Sequence, residues 1–154
     1  MYPRTNAGPG FKWPADRLLE LRDIVPEELL RHPDMVDHDG EKCLYVIKRG
    51  LATLTTIGRE IGLFSYAREY FSNQTHRDSV EVAILSYDND SGPFSKVGDS
   101  GSIVVDGLGR FVALLTGGSG KTESSDITYG SPMFWLWLVI KAEYPHANLS
   151  PVIK

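Results

Sequence analysis

Cysteine is nearly absent from this sequence, and its scarcity excludes several kinds of protein. Cys43 is the only cysteine among 154 residues, so the chain forms no internal disulfide and no zinc or iron–sulfur site built on cysteine. Disulfide-free chains are typical of reducing compartments, and residues 1–17 lack the apolar stretch of a signal peptide. We therefore expect a cytoplasmic protein if the chain is complete as written.

Long hydrophobic runs and an excess of basic residues are also missing. The longest apolar run, residues 133–140, is too short to span a bilayer. Acidic residues (20) outnumber basic ones (16), which gives a formal net charge of −4. Because nucleic acids and anionic membranes both favour basic surfaces, we expect neither as a partner. The 42% of hydrophobic residues is ordinary for a globular protein with a real core.

The sequence changes character at residue 43, and this divides the chain into two parts. Residues 1–42 contain two short helical patterns, one from Pro14 to about Arg22 and one opened by Pro26. Residues 43–154 predict a β-sandwich or a β-barrel with a closing helix, since short apolar and β-branched segments alternate there with glycine-rich turns. We interpret 1–42 as an N-terminal extension or linker and 43–154 as the main domain.

The β-rich part predicts six strands and one helix. Arg49-Gly50 is a predicted turn, and His76 is placed at the tip between two strands. Ser131 suits an N-cap and Pro132 a first helical position, so a helix is predicted over 132–143. This helix is apolar on nearly every side, and we expect it to dock against the barrel. The predicted strands are 44–48, 52–58, 79–86, 102–105, 111–115 and a β-like stretch at 127–130.

The strongest local signal is the run Gly98-Asp99-Ser100-Gly101-Ser102. A serine hydroxyl attacks a carbonyl when a base takes its proton and backbone N–H groups hold the oxyanion. Glycines beside the serine let the chain turn tightly enough to aim such groups inward. The same residue types also favour an ordinary polar turn, so the pentapeptide alone leaves both interpretations open.

The wider context of Ser100 resembles the trypsin/chymotrypsin-like serine protease family, especially its fungal-type, disulfide-poor branch. The GDSGS run, the turn at 106–109, the strand FVALLTGG and the stretch ITYGSP before a helix carry this resemblance, which covers about residues 43–144. It implies a mainly β fold, an antiparallel six-stranded barrel equal to the C-terminal lobe of the chymotrypsin-like fold. A C-terminal helix and a short helical N-terminal segment accompany this barrel.

The resemblance also implies roles for particular residues. Ser100 corresponds to the nucleophile, and the N–H groups of Gly98 and Ser100 to the oxyanion hole. Thr116, Gly117 and Gly118 correspond to the edge that binds the backbone of a peptide or protein substrate. No cofactor is implied, and no metal site is predicted, because the spacing of the acidic residues fits no calcium loop.

The catalytic histidine and aspartate of that family lie on a first barrel, and too little chain precedes Gly98 to build one. His38 with Asp34 or Asp37 is the pair that comes nearest to a base, and each histidine is predicted to be a solvated surface residue. We expect an incomplete triad, with a separate N-terminal protease lobe as the partner that completes it. The histidines of the chain are His32, His38, His76 and His146.

Two functions therefore stay open for this sequence. The first is a serine endopeptidase-like lobe, inactive alone and truncated relative to a full protease. The second is a non-catalytic pseudo-protease module that grips extended peptides by edge-strand pairing. The run GGSGKT at 117–122 ends like a phosphate-binding loop, but Leu115 stands where that motif has glycine, and no helix is predicted to follow. A loop at the rim of the cleft explains this run better.

Overall fold

A computed structural model describes residues 19–119 and 127–149 of the chain. No helix in these two ranges is both long and apolar enough to cross a membrane. Strands account for most of the regular structure. The elements in chain order are α1 (Glu27–Arg31), β1 (Met35–Val36), β2 (Lys42–Gly50), β3 (Leu54–Tyr70), β4 (His76–Ser86), β5 (Ile103–Asp106), β6 (Phe111–Ser119), β7 (Ile127–Pro132) and α2 (Met133–Glu143).

Six of the strands form a closed antiparallel barrel. Their order is β2-β3-β4-β7-β6-β5, and pairing between β2 and β5 closes the ring. The short strand β1 lies outside the ring and pairs with the start of β2, where Met35 opposes Cys43. The predicted fold class, a mainly β chain with a six-stranded antiparallel barrel and a C-terminal helix, is confirmed.

Alternation along the strands fills the barrel with apolar side chains. On β2 the side chains of Leu44 and Val46 are buried, as are Val82 and Ile84 on β4. The main cluster consists of Val25, Leu30, Leu44, Val46, Val82, Ile84, Phe94, Val104, Val112, Ala113 and Leu115. A barrel interior of this kind is a packed core, so functional groups must lie at its rim and on its outer face.

The segment before α1 packs on the outside of the barrel instead of forming the predicted helix. Residues 19–25 are not helical, and Ile24 forms a bridge with Phe111 on β6. Val25 N–H donates to the Phe111 carbonyl (2.9 Å), and Phe111 N–H donates to the Asp23 carbonyl (3.0 Å). Tertiary hydrogen bonds have therefore overridden the helical pattern at residues 19–22, whereas residues 14–18 of the predicted helix lie outside the described ranges. The second predicted helix is confirmed as α1.

Two predicted boundaries in the β-rich part are wrong. Arg49 and Gly50 are the last residues of β2, paired with Thr55 and Leu54, and the turn lies at residues 51–53. Strand β3 does not end near residue 58 but continues to Tyr70, opposite His76. The extension stays paired with β4 across an irregularity between Glu60 and Phe64, and its outer part, residues 68–70, is exposed.

Helix α2 covers the predicted residues but is capped and packed differently. Its N-cap is Pro132, and Ser131 belongs to β7. Phe134 contacts the ring of Phe64 edge-on, with ring centroids 6.5 Å apart, and so joins the helix to the barrel. The opposite side is not covered by the described residues, since Trp135 and Leu138 are more than half exposed.

Candidate active site

Ser100 lies on two consecutive tight turns between β4 and β5. Asp99 N–H donates to the Lys96 carbonyl (3.0 Å), and Ser102 N–H donates to the Asp99 carbonyl (3.1 Å). The third residue of each turn is a glycine in the left-handed region, Gly98 with φ +103° and Gly101 with φ +85°. Side chains disfavour that conformation, so both glycines are required by the turns. Ser100 is exposed at the second turn.

Backbone hydrogen bonds attach this loop to β6. Gly101 N–H donates to the Leu115 carbonyl (2.8 Å), and Leu115 N–H donates to the Ser102 carbonyl (2.9 Å). Leu115 is itself buried in the barrel core. The position of Ser100 is therefore set by the barrel and not by a freely moving loop.

The carboxylate of Asp99 points away from solvent and holds the Ser100 loop through hydrogen bonds to neighbouring segments. Asp99 is fully buried. Its Oδ1 accepts hydrogen bonds from the N–H groups of Ala52 (2.8 Å) and Thr53 (3.2 Å), and its Oδ2 accepts from the N–H of Lys96 (3.1 Å). The Thr53 hydroxyl also donates to Oδ2, over 2.6 Å. Asp99 thus joins the turn after β2 to the loop of Ser100.

Lys48 supplies the positive charge that this buried carboxylate needs. Its Nζ lies 3.0 Å from Asp99 Oδ2, and neither side chain is exposed. Lys48 also donates to the Thr53 hydroxyl and to the Leu54 carbonyl. Burial by itself raises the pKa of Asp99, but the hydrogen bonds from Thr53, Lys48, Lys96 and Ala52 outweigh burial and hold the pKa well below its usual range. The carboxylate is therefore ionised in the folded protein.

The burial of Lys48 could have been predicted from the alternation along β2, although no motif points to this residue. In β2, Lys48 continues the alternation of Leu44 and Val46, which places it on the face that points into the barrel. A lysine on such a face must find a partner or titrate. The alternation predicts its burial, but the partner lies far along the chain at Asp99.

The groups that chemistry would use at Ser100 are not engaged elsewhere. Neither the hydroxyl of Ser100 nor the N–H groups of Gly98 and Ser100 form a hydrogen bond within residues 19–119 and 127–149. Ser100 faces an open groove of about 750 Å³ that is lined on its apolar side by Leu51 and Ile103. The Ser100 hydroxyl and two backbone N–H groups are therefore available to a molecule bound in the groove.

The predicted substrate edge forms the exposed end of β6. Pairing with β5 ends at Leu114, whereas pairing with β7 continues through Gly117, Gly118 and Ser119. One edge of β6 beyond Leu115 is thus free of any described strand. Such an edge can add an extended peptide by backbone hydrogen bonding. The rest of the GGSGKT run, Gly120 to Thr122, lies outside the described residues.

Thr116 occupies a β-bulge in this strand. Leu115 pairs with Gly130 and Gly117 pairs with Tyr129, so Thr116 is the extra residue. A bulge re-aims a side chain, and the Thr116 hydroxyl shares its proton between Oε2 of Glu81 and the Tyr129 carbonyl, each 3.2 Å away. Sequence analysis placed Glu81 on a strand but gave it no role.

The histidines do not meet Ser100. His38 lies 3.1 Å from Asp39 Oδ2, and the carboxylate of Asp37 is instead bonded to Arg59. His32 pairs with Glu28 on α1, and His76 is the first residue of β4, paired with Tyr70, and not part of the hairpin tip where it was predicted. No histidine among the described residues lines the groove at Ser100.

Three side chains in the described ranges could together offer ligands to a metal ion, Asp37, His38 and Asp39. The Asp37 carboxylate is already engaged, because it accepts the N–H groups of Asp39 (2.9 Å) and Glu41 (3.0 Å) as well as Arg59. Burial raises the pKa of Asp37, but these hydrogen bonds outweigh burial and lower it. This cluster is explained as a turn that closes β1 onto β2.

The sequence matches no model of a protein family and no curated protein. Among solved structures, the chain is similar to a chymotrypsin from Cellulomonas bogoriensis, with 18% sequence identity and a TM-score of 0.44. The similarity covers 65% of this chain and 46% of that one, so the chain spans less than half the length of the chymotrypsin.

Proposed function

We propose that this chain is the nucleophile-bearing lobe of a serine endopeptidase. Ser100 is the nucleophile that attacks the scissile carbonyl, and the N–H groups of Gly98 and Ser100 stabilise the resulting oxyanion. Thr116, Gly117 and Gly118 hold the backbone of the substrate as an added strand. No cofactor takes part in this proposal.

One observation carries the proposal, namely that an exposed serine lies on two glycine turns held by a buried ion pair. Asp99 and Lys48 are both fully buried, and their interaction joins the loop of Ser100 to β2. An ordinary surface turn does not need a buried ion pair to hold its conformation, because no other group depends on its exact geometry. Preorganisation of backbone donors beside a nucleophile is instead what acyl transfer requires.

The lobe is inactive alone in this proposal, because it lacks a base. A serine hydroxyl is a weak nucleophile unless an adjacent base takes its proton. No histidine in the described ranges lines the groove at Ser100. A separate N-terminal lobe that brings a histidine over the groove would supply the base. Without it, only oxyanion stabilisation and binding remain, which leave a rate several orders of magnitude below that of a full triad.

Fluorophosphonate labelling, read by intact mass, tests this proposal. The reagent phosphonylates serines that are activated beside a formed oxyanion hole. We expect slow labelling of the chain, strong acceleration by added imidazole as a substitute base, and none with Ser100→Ala. The matched control is Ser91→Ala, on an exposed loop before the site, which leaves labelling unchanged. A folded chain that imidazole does not activate would overturn the proposal.

A second function, peptide binding without catalysis, is favoured by the free edge of β6. The edge beyond Leu115 and the absence of a base from the described part of the groove both suit a pseudo-protease module. Titration of extended peptides, followed by the amide resonances of residues 116–119, distinguishes the two functions. Binding together with a failure of imidazole to activate Ser100 would favour the module.

A further inference from the structure

Glu81, on β4, is a buried carboxylate with no cationic partner. The residue is 5% exposed, and its Oε2 accepts hydrogen bonds from the hydroxyls of Thr116 and Ser131, each over 3.2 Å. The ion pairs within the described ranges do not include Glu81. Two other buried carboxylates have one, Asp99 with Lys48 and Asp106 with Arg110, whereas Glu60, inside the barrel wall, has none among the described residues.

A carboxylate in such a site costs free energy unless it is compensated. Removing a charge from water is expensive, and hydroxyl donors compensate it less than a cation does. Replacing Glu81 by an apolar residue would avoid that cost. A carboxylate next to a groove and without a cation is one with which a cation bound there can pair.

The position of Glu81 relative to Ser100 follows from the strand contacts. Gly101 N–H donates to the Leu115 carbonyl over 2.8 Å. Ser100 directly precedes Gly101, and Thr116 directly follows Leu115. The Cα atoms of Ser100 and Thr116 therefore each lie about 3.8 Å from the Cα atom of a residue that forms this hydrogen bond. The bulge turns the Thr116 hydroxyl onto Glu81. Both the nucleophile and Thr116 are exposed, at neighbouring points of the same rim.

We propose that Glu81 is the positioning residue that orients the imidazole acting as base on Ser100. This inference rests on the proposed function. One imidazole nitrogen accepts the proton of the Ser100 hydroxyl, and the N–H of the other nitrogen points to the carboxylate beside Thr116. The charge of Glu81 then stabilises the imidazolium that forms, which is the work of the carboxylate in a catalytic triad. The orienting carboxylate thus belongs to this barrel, whereas the resemblance implies one on the missing first barrel.

Added imidazole makes the inference testable on the chain alone. In labelling by a fluorophosphonate, a bond forms between Ser100 Oγ and phosphorus, the P–F bond breaks, and fluoride leaves. The proton of Ser100 passes to imidazole, which becomes imidazolium. The labelling rate at a fixed pH is therefore the sum of two contributions. One depends on imidazole and on Glu81, which orients it, and the other occurs without imidazole and does not involve Glu81.

The experiment compares both parts of the rate in three variants. Glu81→Gln keeps the size of the side chain and an oxygen acceptor, and we expect it to lower the imidazole-dependent part by about tenfold or more, the effect of one pKa unit. The imidazole-independent part of the labelling rate stays unchanged in this variant. Glu81→Asp keeps the charge and restores most of the loss. The matched control Glu69→Gln, an exposed carboxylate on the hairpin, behaves like the unchanged chain.

The outcomes separate this inference from the proposed function. Equal acceleration by imidazole in the unchanged chain and in Glu81→Gln would overturn the role of Glu81 and leave Ser100 as the nucleophile. Failure of imidazole to accelerate labelling of the unchanged chain would overturn the proposed function and this inference with it. If Glu81→Gln does not fold, Glu81→Asp decides, because it draws the carboxylate back by one methylene: an imidazole-dependent rate below that of Glu69→Gln supports the role, and a rate equal to that of Glu69→Gln overturns it.

Discussion

Lys48 Nζ lies 3.0 Å from Asp99 Oδ2, and the two fully buried side chains join β2 to the loop that carries Ser100. The pair is separated by 51 positions in sequence. Because Asp99 also accepts hydrogen bonds from the turn after β2, the stability of the fold and the geometry of the Ser100 loop depend on the same contacts. Mutations at this junction should therefore affect both properties together.

Lys48→Met is the most direct change at this junction. It leaves the Asp99 carboxylate buried without a cation, and we expect the free energy of unfolding to fall by about 3–5 kcal/mol. Urea denaturation at neutral pH measures this loss. The adjacent Arg49→Met, which removes an exposed cation bonded to Thr55 (3.3 Å), should cost under about 1 kcal/mol. Equal losses in the two variants would contradict a special role of the buried pair.

Gly50→Ala should disturb Ser100 without touching it. A Cβ at Gly50 would overlap Asp99 Oδ1 and lie 2.6 Å from its Cγ, so the carboxylate must shift and carry the loop with it. We expect a destabilisation of about 1–3 kcal/mol and slower fluorophosphonate labelling of Ser100.

Gly107→Ala is the matched control for that experiment. A Cβ at Gly107 would have no atom within 4 Å, and its φ is not in the left-handed region. We expect a change within about 1 kcal/mol and unchanged labelling. Wild-type labelling in a measurably destabilised Gly50→Ala variant would show that Asp99 does not position Ser100.

Glu60 makes stability depend on pH near neutrality. The side chain is fully buried on β3. Burial raises its pKa to about 7, against a smaller opposite effect of the Gly62 N–H, which donates to Oε1 over 2.7 Å. A pKa raised by folding gives stability that is complete below the unfolded pKa and is lost as pH rises through the folded one. We expect a loss on the order of 3 kcal/mol between pH 4.5 and 7.5.

Glu60→Gln should remove this dependence, because the amide does not ionise. Urea unfolding at pH 5 and pH 8 compares the variant with the unchanged chain and with Glu69→Gln, whose carboxylate is exposed. The Glu69 variant should keep the original difference between the two pH values. A Glu60 variant that keeps it as well would assign the dependence to another group.

Cys43 should react with thiol reagents only when the protein unfolds. The side chain is fully buried, and burial raises the pKa of its thiol to about 11. At pH 8 the thiolate fraction is then about one thousandth, and the reagent has no access to it. Ellman's reagent should modify the folded chain far more slowly than the chain in urea. Rapid modification under native conditions would show that β1 and the start of β2 open readily.

Much of the fold could be predicted because it depends on local patterns. Alternation predicted the strand starting near Cys43, and the proline before Met133 predicted the start of α2. The glycines around Ser100 predicted tight turns, and Gly98 and Gly101 have the positive φ that such turns need. Local patterns failed at residues 19–22, where the N-terminal segment forms backbone hydrogen bonds to Gly109 and Phe111 instead of a helix.

The sequence by itself determined that the main part of the chain is rich in β-strands, that a serine lies on glycine turns and that histidine is scarce near it. Each follows from residues that are neighbours in the chain, whose conformational preferences are intrinsic. Only the tertiary structure decided that Lys48 meets Asp99, that Glu60 lacks a cation and that Glu81 lies beneath Thr116. The partner of a buried charge is chosen by barrel closure and strand register, which bring distant residues within hydrogen-bond distance, and no local pattern contains that information.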